Sequence, residues 1–333
     1  MSDSEYEAPG KTIPPFFQED RVDLYFLNTR EVLAAEGLDP TVTVEVFPNR
    51  SGLLCGIAEV LDHLDQVPGL EVWALPEGAT MSRKETVLRL RAPYSRFGIY
   101  ETALLGTLAH SSGWATAAQA CVEAAAGRAV ISFGGRHVHP AVSDRMEYAA
   151  LVGGCAGCAT PAGAALYGQK ATGTMPHAMM LIFGDTVAGV QAFDRHMPAS
   201  VRRVVLVDTF KDEAEESLRV ARALGERLWG VRLDTPSERG GVTPGLVHEV
   251  RARLDQAGYP GVKIFVSGGL HPDRIRAFAA SGCPVDGFGV GSAISGAPPI
   301  DFTADIKEIE GRAVAKRGRM PGITQNPRLE KVR

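Results

Sequence analysis

The sequence predicts an α/β protein, an irregular α/β barrel with an N-terminal α+β sandwich domain. Three observations lead there. Four short, apolar, mostly β-branched runs, Val204–Asp208 (VVLVD), Gly230–Asp234 (GVRLD), Lys263–Gly268 (KIFVSG) and Gly287–Gly291 (GFGVG), start 26, 33 and 24 residues apart, the length of one βα unit. Each run ends in a polar or glycine-containing tip and hands over to a helical pattern. Before residue 127 this rhythm is absent, and the chain reads as a small mixed module.

In the first module, Val22–Ala35 and Leu53–Leu64 carry helical spacing, whereas Thr41–Phe47 (TVTVEVF) alternates with Val42, Val44 and Val46 on one face. Glu71–Leu75 and Glu85–Ala92 (ETVLRLRA) read as further strands with turn residues between them. The Ala-rich stretch Tyr100–Ala126 has few breakers and predicts a helix leading out of the module. Residues 1–116 are therefore expected to form the sandwich with a leading arm, 117–300 the barrel, and 301–333 a charged segment packing back on the first module.

The later runs are near-continuously apolar, as strands buried on both faces of a parallel sheet are. The helices between them carry their own signals. Thr209 with Asp212 resembles a capping box, with Ala214, Leu218, Ala221, Leu224 and Leu228 following at helical spacing. Thr243-Pro244 sets a cap residue before a first-turn proline, and Gly258 can close that helix. No Rossmann fingerprint opens the series, which favours a barrel over a doubly wound sheet.

Bulk properties exclude several classes. The 333 residues hold 35 Lys and Arg against 39 Asp and Glu, a net charge of −4, and the basic residues are scattered, so no nucleic-acid surface is expected. No apolar run reaches the ~18 residues of a membrane span, and Met1–Pro15 opens acidic and polar, unlike a signal peptide. Five cysteines in apolar or Gly/Ala-rich surroundings fit reduced thiols in a cytoplasmic protein.

In parallel α/β folds ligands bind at the carboxyl ends of strands, so the tips are the candidate site. Ser267-Gly268-Gly269 and Gly289-Val290-Gly291-Ser292 form two glycine-rich tips on successive runs, suited to a phosphate; alternatively they make only tight turns. Asp208 and Asp234 each close a run and suit a sugar hydroxyl or a bound Mg²⁺; the alternative is helix capping. Arg136, in Phe133-Gly-Gly-Arg136, offers a fork that matches a carboxylate, or is a surface arginine in a turn. His177 sits among apolar residues, where a histidine is more often a core residue than a catalyst. His137 and His139 alternate as a zinc pair might, yet no further ligand follows at zinc spacing, and Cys155-Ala-Gly-Cys158 lacks a second pair. No resident metal site is expected.

Together these motifs resemble the nicotinate phosphoribosyltransferases in their shorter form, type II enzymes, over about residues 21–330. The most specific stretch is Gly153–His177, a GG-x-x-G segment leading into GT-x-x-H, followed in the family's order by Arg-Leu-Asp234, Ser267-Gly-Gly269 and Phe288-Gly-Val-Gly-Ser292. Tyr25-Phe26, Glu101-Thr-Ala-Leu-Leu105 and Phe133-Gly-Gly-Arg136 resemble family positions too. The resemblance implies transfer of the ribosyl group of phosphoribosyl pyrophosphate (PRPP) to nicotinate in NAD biosynthesis, with Mg²⁺ on the pyrophosphate. It implies that Ser267, Gly268, Gly269, Gly289, Gly291 and Ser292 cradle the 5′-phosphate and that Asp234, with Asp208, holds the ribose or Mg²⁺. Arg136 would pair with the nicotinate carboxylate, with Tyr25, Phe133 and Thr174 around the ring. His177 matches a histidine that many members phosphorylate with ATP. Homodimers or larger assemblies are implied as well. Pro176 and Ala178 depart from the family pattern beside His177, and with only Cys283 beyond residue 158 no C-terminal zinc site is expected. Quinolinate or nicotinamide transfer remains the neighbouring reading, and a non-catalytic phosphoribosyl-ligand-binding protein the reading from another class.

Overall fold

The computed structural model describes residues 19–333; the stretch Met1–Pro15, read as a loose arm, lies outside them. The chain divides into two compact units, one running to Thr116 and resuming over Ala297–Arg333, the other Ala117–Gly296.

The first unit contains α1 (Leu24–Ala35), β1 (Thr41–Pro48), α2 (Ile57–Leu64), β2 (Glu71–Ala74), β3 (Leu88–Pro93) and the beginning of α3 (Glu101–Ala124). Its six-stranded sheet includes β1 between β3 and a late strand, Phe302–Ile309, both antiparallel to it. That late strand was not expected from sequence. Phe302, Ala304 and Ile306 alternate as a strand requires, but the intervening charges made the segment read as the start of a polar tail. The sequence also assigned β1 a single buried face, whereas every residue from Val42 to Pro48 is buried. The second face holds Thr43 and Glu45, and the Glu45 carboxylate accepts from Arg89 Nη2 at 2.8 Å and from the peptide N–H of Thr324 at 3.0 Å. A buried carboxylate is tolerable there because cationic and peptide donors replace its water. Val42, Val46, Leu54, Ile57, Leu64, Leu88, Leu90, Leu104 and Leu108 form the apolar side.

The second unit is a βα series. Its elements are β4 (Ala129–Ser132), α4 (Ser143–Val152), β5 (Gly157–Cys158), α5 (Pro161–Leu166), α6 (His177–Phe183), α7 (Thr186–His196) and β6 (Arg203–Leu206), then α8 (Glu213–Leu224), β7 (Leu228–Leu233), α9 (Pro244–Gln256), β8 (Lys263–Val266), α10 (Pro272–Ala280), β9 (Gly287–Val290) and α11 (Ser292–Ser295). The strands form one parallel sheet in the order β5-β4-β9-β8-β7-β6. Six strands leave a half-barrel whose edges are β5 and β6. The extended segment after α5 touches both edges: the N–H of Thr172 donates to Cys158 on β5 at 2.8 Å, and that of Met175 to Val204 on β6 at 3.5 Å. This segment thus occupies the gap that further strands fill in a complete barrel.

The helix starts follow local chemistry. Thr243 accepts from the N–H of Leu246 at 3.2 Å before Pro244, as its sequence signal predicts. The cap of α8 differs from the predicted box. Asp212 itself accepts from the N–H groups of Ala214 and Glu215 at 3.0 and 3.2 Å, and the Thr209 hydroxyl is buried without a partner.

Candidate active site

A parallel sheet delivers the carboxyl ends of all its strands to one rim. Along the rim stand, in sheet order, Cys158–Thr160 after β5, Phe133–Arg136 after β4, Gly291-Ser292 after β9, Ser267–Gly269 after β8, Asp234 after β7, and Asp208 after β6. His177 begins α6 directly after the segment that touches both sheet edges. Sequence-selected residues from Phe133 to Ser292 therefore stand at one end of one unit, His177 and Asp208 in direct contact across 31 positions.

Asp234 is the hub of the β7 and β8 tips. Its Oδ1 accepts from the Ser267 hydroxyl at 2.8 Å and its Oδ2 lies 3.5 Å from Arg232 Nη2. Gly268 and Gly269 both have positive φ, +89° and +58°, and a Cβ on Gly268 would stand 3.1 Å from Asp234 Oδ1. Two consecutive left-handed residues beside a carboxylate require glycine. The glycines of β9 also make room for neighbouring rings. A Cβ on Gly289 would fall 2.3 Å from the Phe133 ring, and one on Gly291 would fall 2.6 Å from Cε1 of His137. The room they leave admits an aromatic ring and an imidazole at the rim.

Asp208 does not cap α8. Its Oδ2 lies 3.1 Å from His177 Nε2, with 2% of the aspartate side chain and 39% of the histidine exposed. Burial, helped by the negative charge of Asp234 and opposed by His177, holds the Asp208 carboxyl above the ordinary aspartate range. Its Oδ1 is buried with no partner among the described residues.

Arg232 was missed as a site residue from sequence. Two positions before Asp234 in β7, its guanidinium is 14% exposed, lies 5.4 Å over the Phe133 ring and donates to the Thr174 hydroxyl. Its Nε is buried without a partner, and burial lowers its pKa against the pull of Asp234 and Asp208. The signal was present: a charge inside a strand otherwise composed of buried apolar residues and glycine. Arg136 stands exposed on the 3₁₀ turn Gly135–His137, near enough for its charge to oppose that of Arg232.

The remaining sequence candidates separate. Tyr25 lies on α1 of the first unit, 60% exposed, its ring 4.3 Å from that of Phe26 and its hydroxyl donating to Asp23 at 3.4 Å. His137 Nδ1 is 3.3 Å from the Ser295 hydroxyl, whereas His139 Nδ1 accepts from the N–H of Ala141 at 3.1 Å, so the two rings take different partners. Cys155 and Cys158 are buried thiols whose pKa burial raises, the condition of unreactive cysteine. Among the described residues no group of three or more His, Cys, Asp or Glu could hold a metal, and no helix is long and apolar enough to cross a membrane.

A cavity of about 760 Å³ lies at the opposite ends of β6, β7 and β8, lined by Arg202, Trp229 and Tyr259 among others. Its size does not make it the reactive centre. Of its two acids Asp194 is committed to Arg203 and Arg227 and Glu226 is exposed, and Arg202 stacks on Trp229 at 4.3 Å. The strand tips instead combine an uncommitted carboxylate oxygen, a desolvated guanidinium and an imidazole–carboxylate pair.

Comparison with known proteins identifies the family of the fold. Residues 114–305 match the quinolinate phosphoribosyl transferase C-terminal domain, and residues 23–112 the corresponding N-terminal domain. A nicotinate phosphoribosyltransferase of Mycobacterium tuberculosis is 31% identical over 334 residues, covering 88% of this chain and 71% of that protein. The crystal structure of a nicotinate-nucleotide pyrophosphorylase from Pyrococcus furiosus is similar with a TM-score of 0.87 and 42% identity, covering 97% of this chain and 82% of that one. Human nicotinic acid phosphoribosyltransferase shares the fold, with a TM-score of 0.74 at 19% identity over 90% of this chain and 77% of that one.

Proposed function

The chain belongs to the quinolinate phosphoribosyltransferase family of type II phosphoribosyltransferases, and on that premise we propose that its pyridine substrate is nicotinate. The products are nicotinate mononucleotide and pyrophosphate, a step of NAD biosynthesis or salvage. The observation that carries the reading is the Arg232 guanidinium, desolvated and lying over Phe133. A planar ring bearing one carboxylate matches that pair, ring against ring and carboxylate against fork. Arg136, on the neighbouring tip, serves as a second anchor for the carboxylate. Tyr25 is kept as a candidate substrate residue on the strength of the sequence resemblance alone.

In the transfer, the bond from ribose C1 to the pyrophosphate oxygen breaks, positive charge builds on C1, and the lone pair of the pyridine nitrogen forms the new bond. No proton need move, since that nitrogen is unprotonated at neutral pH. The chain's contribution is position and charge. Ser267, Gly268, Gly269, Gly289, Gly291 and Ser292 are assigned to the 5′-phosphate. Asp234, fixed by Ser267 and Arg232, presents negative charge toward the ribose hydroxyls and the developing cation. Mg²⁺ commonly binds through one or two carboxylates plus substrate phosphates, and the partnerless buried Oδ1 of Asp208 with nearby Asp234 fits that donor set. When bound, the ion would neutralise the leaving pyrophosphate.

Stimulation by ATP through His177 forms part of the proposal, supported by the His177–Asp208 pair at the rim. So does assembly into a dimer or larger homo-oligomer. Helix α6, which starts at His177, leaves Leu181, Ile182 and Phe183 exposed at 60%, 84% and 47%, an apolar surface of the kind subunit contacts cover.

The test is direct: incubate the protein with PRPP, Mg²⁺ and nicotinate, with and without ATP, and quantify mononucleotide and pyrophosphate. Parallel reactions with quinolinate and nicotinamide separate the alternatives. Release of CO₂ with quinolinate and no turnover of nicotinate would overturn the substrate assignment. PRPP binding without pyrophosphate release from any pyridine would point to a binding protein.

A further inference from the structure

One buried carboxylate on the rim has no part in the chemistry above. Glu147, on α4, is 0% exposed, and its oxygens are committed to two neighbouring strand tips. Its Oε1 accepts from the N–H of Gly135 at 2.8 Å, on the tip after β4, and its Oε2 from the N–H of Ala159 at 3.1 Å, on the tip after β5. The Ser132 hydroxyl and the Cys158 thiol, from the same two strands, stand near enough to oppose the rise of its pKa, while Cys158 Sγ itself donates to the Thr160 carbonyl at 3.8 Å. Both peptide donors are neutral.

The backbone around this contact is pressed tight. A Cβ on Gly135 would lie 2.8 Å from Thr160 Cγ2 and 3.1 Å from Glu147 Oε1; one on Gly134 would lie 2.8 Å from Met146 Cε and 3.0 Å from Ser295 Cβ. The Gly134-Gly135 pair is therefore what allows the tip to reach α4 and the carboxylate. Arg136 is the next residue and the first of the turn to carry a side chain, and that side chain points into the open. A carboxylate is a costly way to fill a buried space that an apolar residue of the same volume would fill without losing water. What an apolar residue cannot supply is two acceptor oxygens for peptide groups on separate tips.

We infer that Glu147 is a positioning residue: it clamps the tips after β4 and β5 and thereby sets the aim of Arg136 at the substrate anion. This rests on the proposed reading that Arg136 meets the pyridine carboxylate. Burial raises the Glu147 carboxyl pKa while its hydrogen bonds oppose that shift, which agrees with a carboxylate dependent on its donors.

A double-mutant cycle tests it. Glu147→Gln keeps the shape but turns one acceptor into a donor that faces a peptide N–H. Measured in the Arg136 and Arg136→Ala backgrounds, it should raise the KM for nicotinate about tenfold in the first and less than about twofold in the second, since groups acting as a unit are non-additive. The KM for PRPP should change less than about twofold, and kcat less than about threefold. Glu147→Asp retains the charge and should recover part of the loss; should the glutamine variant fail to fold, the aspartate variant enters the cycle in its place. Equal effects in the two backgrounds, or a loss spread evenly over kcat and both KM values in step with the thermal midpoint, would reduce Glu147 to a core residue and overturn the inference. Failure of the substrate reading looks different: the wild-type protein would then use quinolinate, on whose carboxylates the same cycle would be run, or nicotinamide, whose uncharged amide would overturn the inference along with that reading.

Discussion

His177 Nε2 and Asp208 Oδ2 lie 3.1 Å apart, with the carboxylate enclosed and the imidazole partly open to the rim. The contact decides which ring nitrogen can react. A carboxylate accepts only, so Nε2 carries the proton, and the lone pair sits on Nδ1. Attack on the γ-phosphorus of ATP, with ADP leaving, is then expected at Nδ1. Acid-labile phosphohistidine formed with labelled ATP should be the Nδ1 isomer, and Asp208→Asn should cut its yield at least about tenfold, within the range for losing one charge-assisted hydrogen bond. Label on Nε2, or an undiminished yield in the variant, would contradict this. Because burial raises the Asp208 carboxyl pKa, phosphorylation should fall away on the acid side sooner than an ordinary aspartate would dictate.

Arg232→Lys should behave as a severe substitution although it keeps the charge. Lysine offers no planar fork to lie over Phe133 while donating to Thr174. Losing one arm of the fork gives up a hydrogen bond to a charged group, about 1.5–3 kcal/mol, so the KM for nicotinate should rise at least about tenfold, with kcat affected less. A KM within about threefold of wild type would remove Arg232 from the carboxylate site.

Gly289→Ala places a methyl group 2.3 Å from the Phe133 ring, so the ring must shift and its contact with Arg232 must change. Overpacking of this kind costs about 1–3 kcal/mol of stability. The larger effect should be on nicotinate KM, because the aromatic face moves while Asp234 and the Ser267-Gly268-Gly269 tip stay in place. A variant with normal nicotinate KM would show that Phe133 does not flank the ring.

The tips and the series that carries them were legible because each strand run is short, apolar and ends in residues unsuited to a strand interior. Asp208 and Asp234 were found that way, and the choice between capping and chemistry for Asp208 needed coordinates, since Asp212 also stood at a helix start. The half-barrel's gap was not legible. Residues 172–175 touch both sheet edges through backbone N–H groups, which leave no side-chain pattern. Arg232 lies inside the GVRLD run, but position at the strand's end, the criterion for a ligand site in a parallel sheet, selects Asp234 and not a charge two residues before it. Glu147 was hidden for a related reason. A single acid in a helix reads as a solvated face until its burial is known.

The last prediction concerns Glu101, at the start of α3 in the first unit. An anion in the first turn of a helix is normally favoured by the helix dipole. Here burial outweighs that. Glu101 borders a small cavity with Tyr94, Phe97, Leu104, Leu105, Ala304 and Ile306, and burial, with lesser help from Asp305 and Asp23, raises its pKa from 4.5 to about 7. Below pH 4.5 the group is protonated whether the chain is folded or not, so it exerts no pH dependence there. Between 4.5 and about 7 the unfolded chain loses the proton while the folded chain holds it. The folded state then binds more protons, and stability must fall as pH rises across that window, levelling off above it. Glu101→Gln removes the ionisation and should remove the decline. The variant's melting temperature, minus that of the wild type, should therefore grow between pH 4.5 and 7, by on the order of a few degrees, and stay constant from pH 7 to 9. A difference that does not change with pH would mean that the Glu101 carboxylate titrates in the folded chain as it does in the unfolded one.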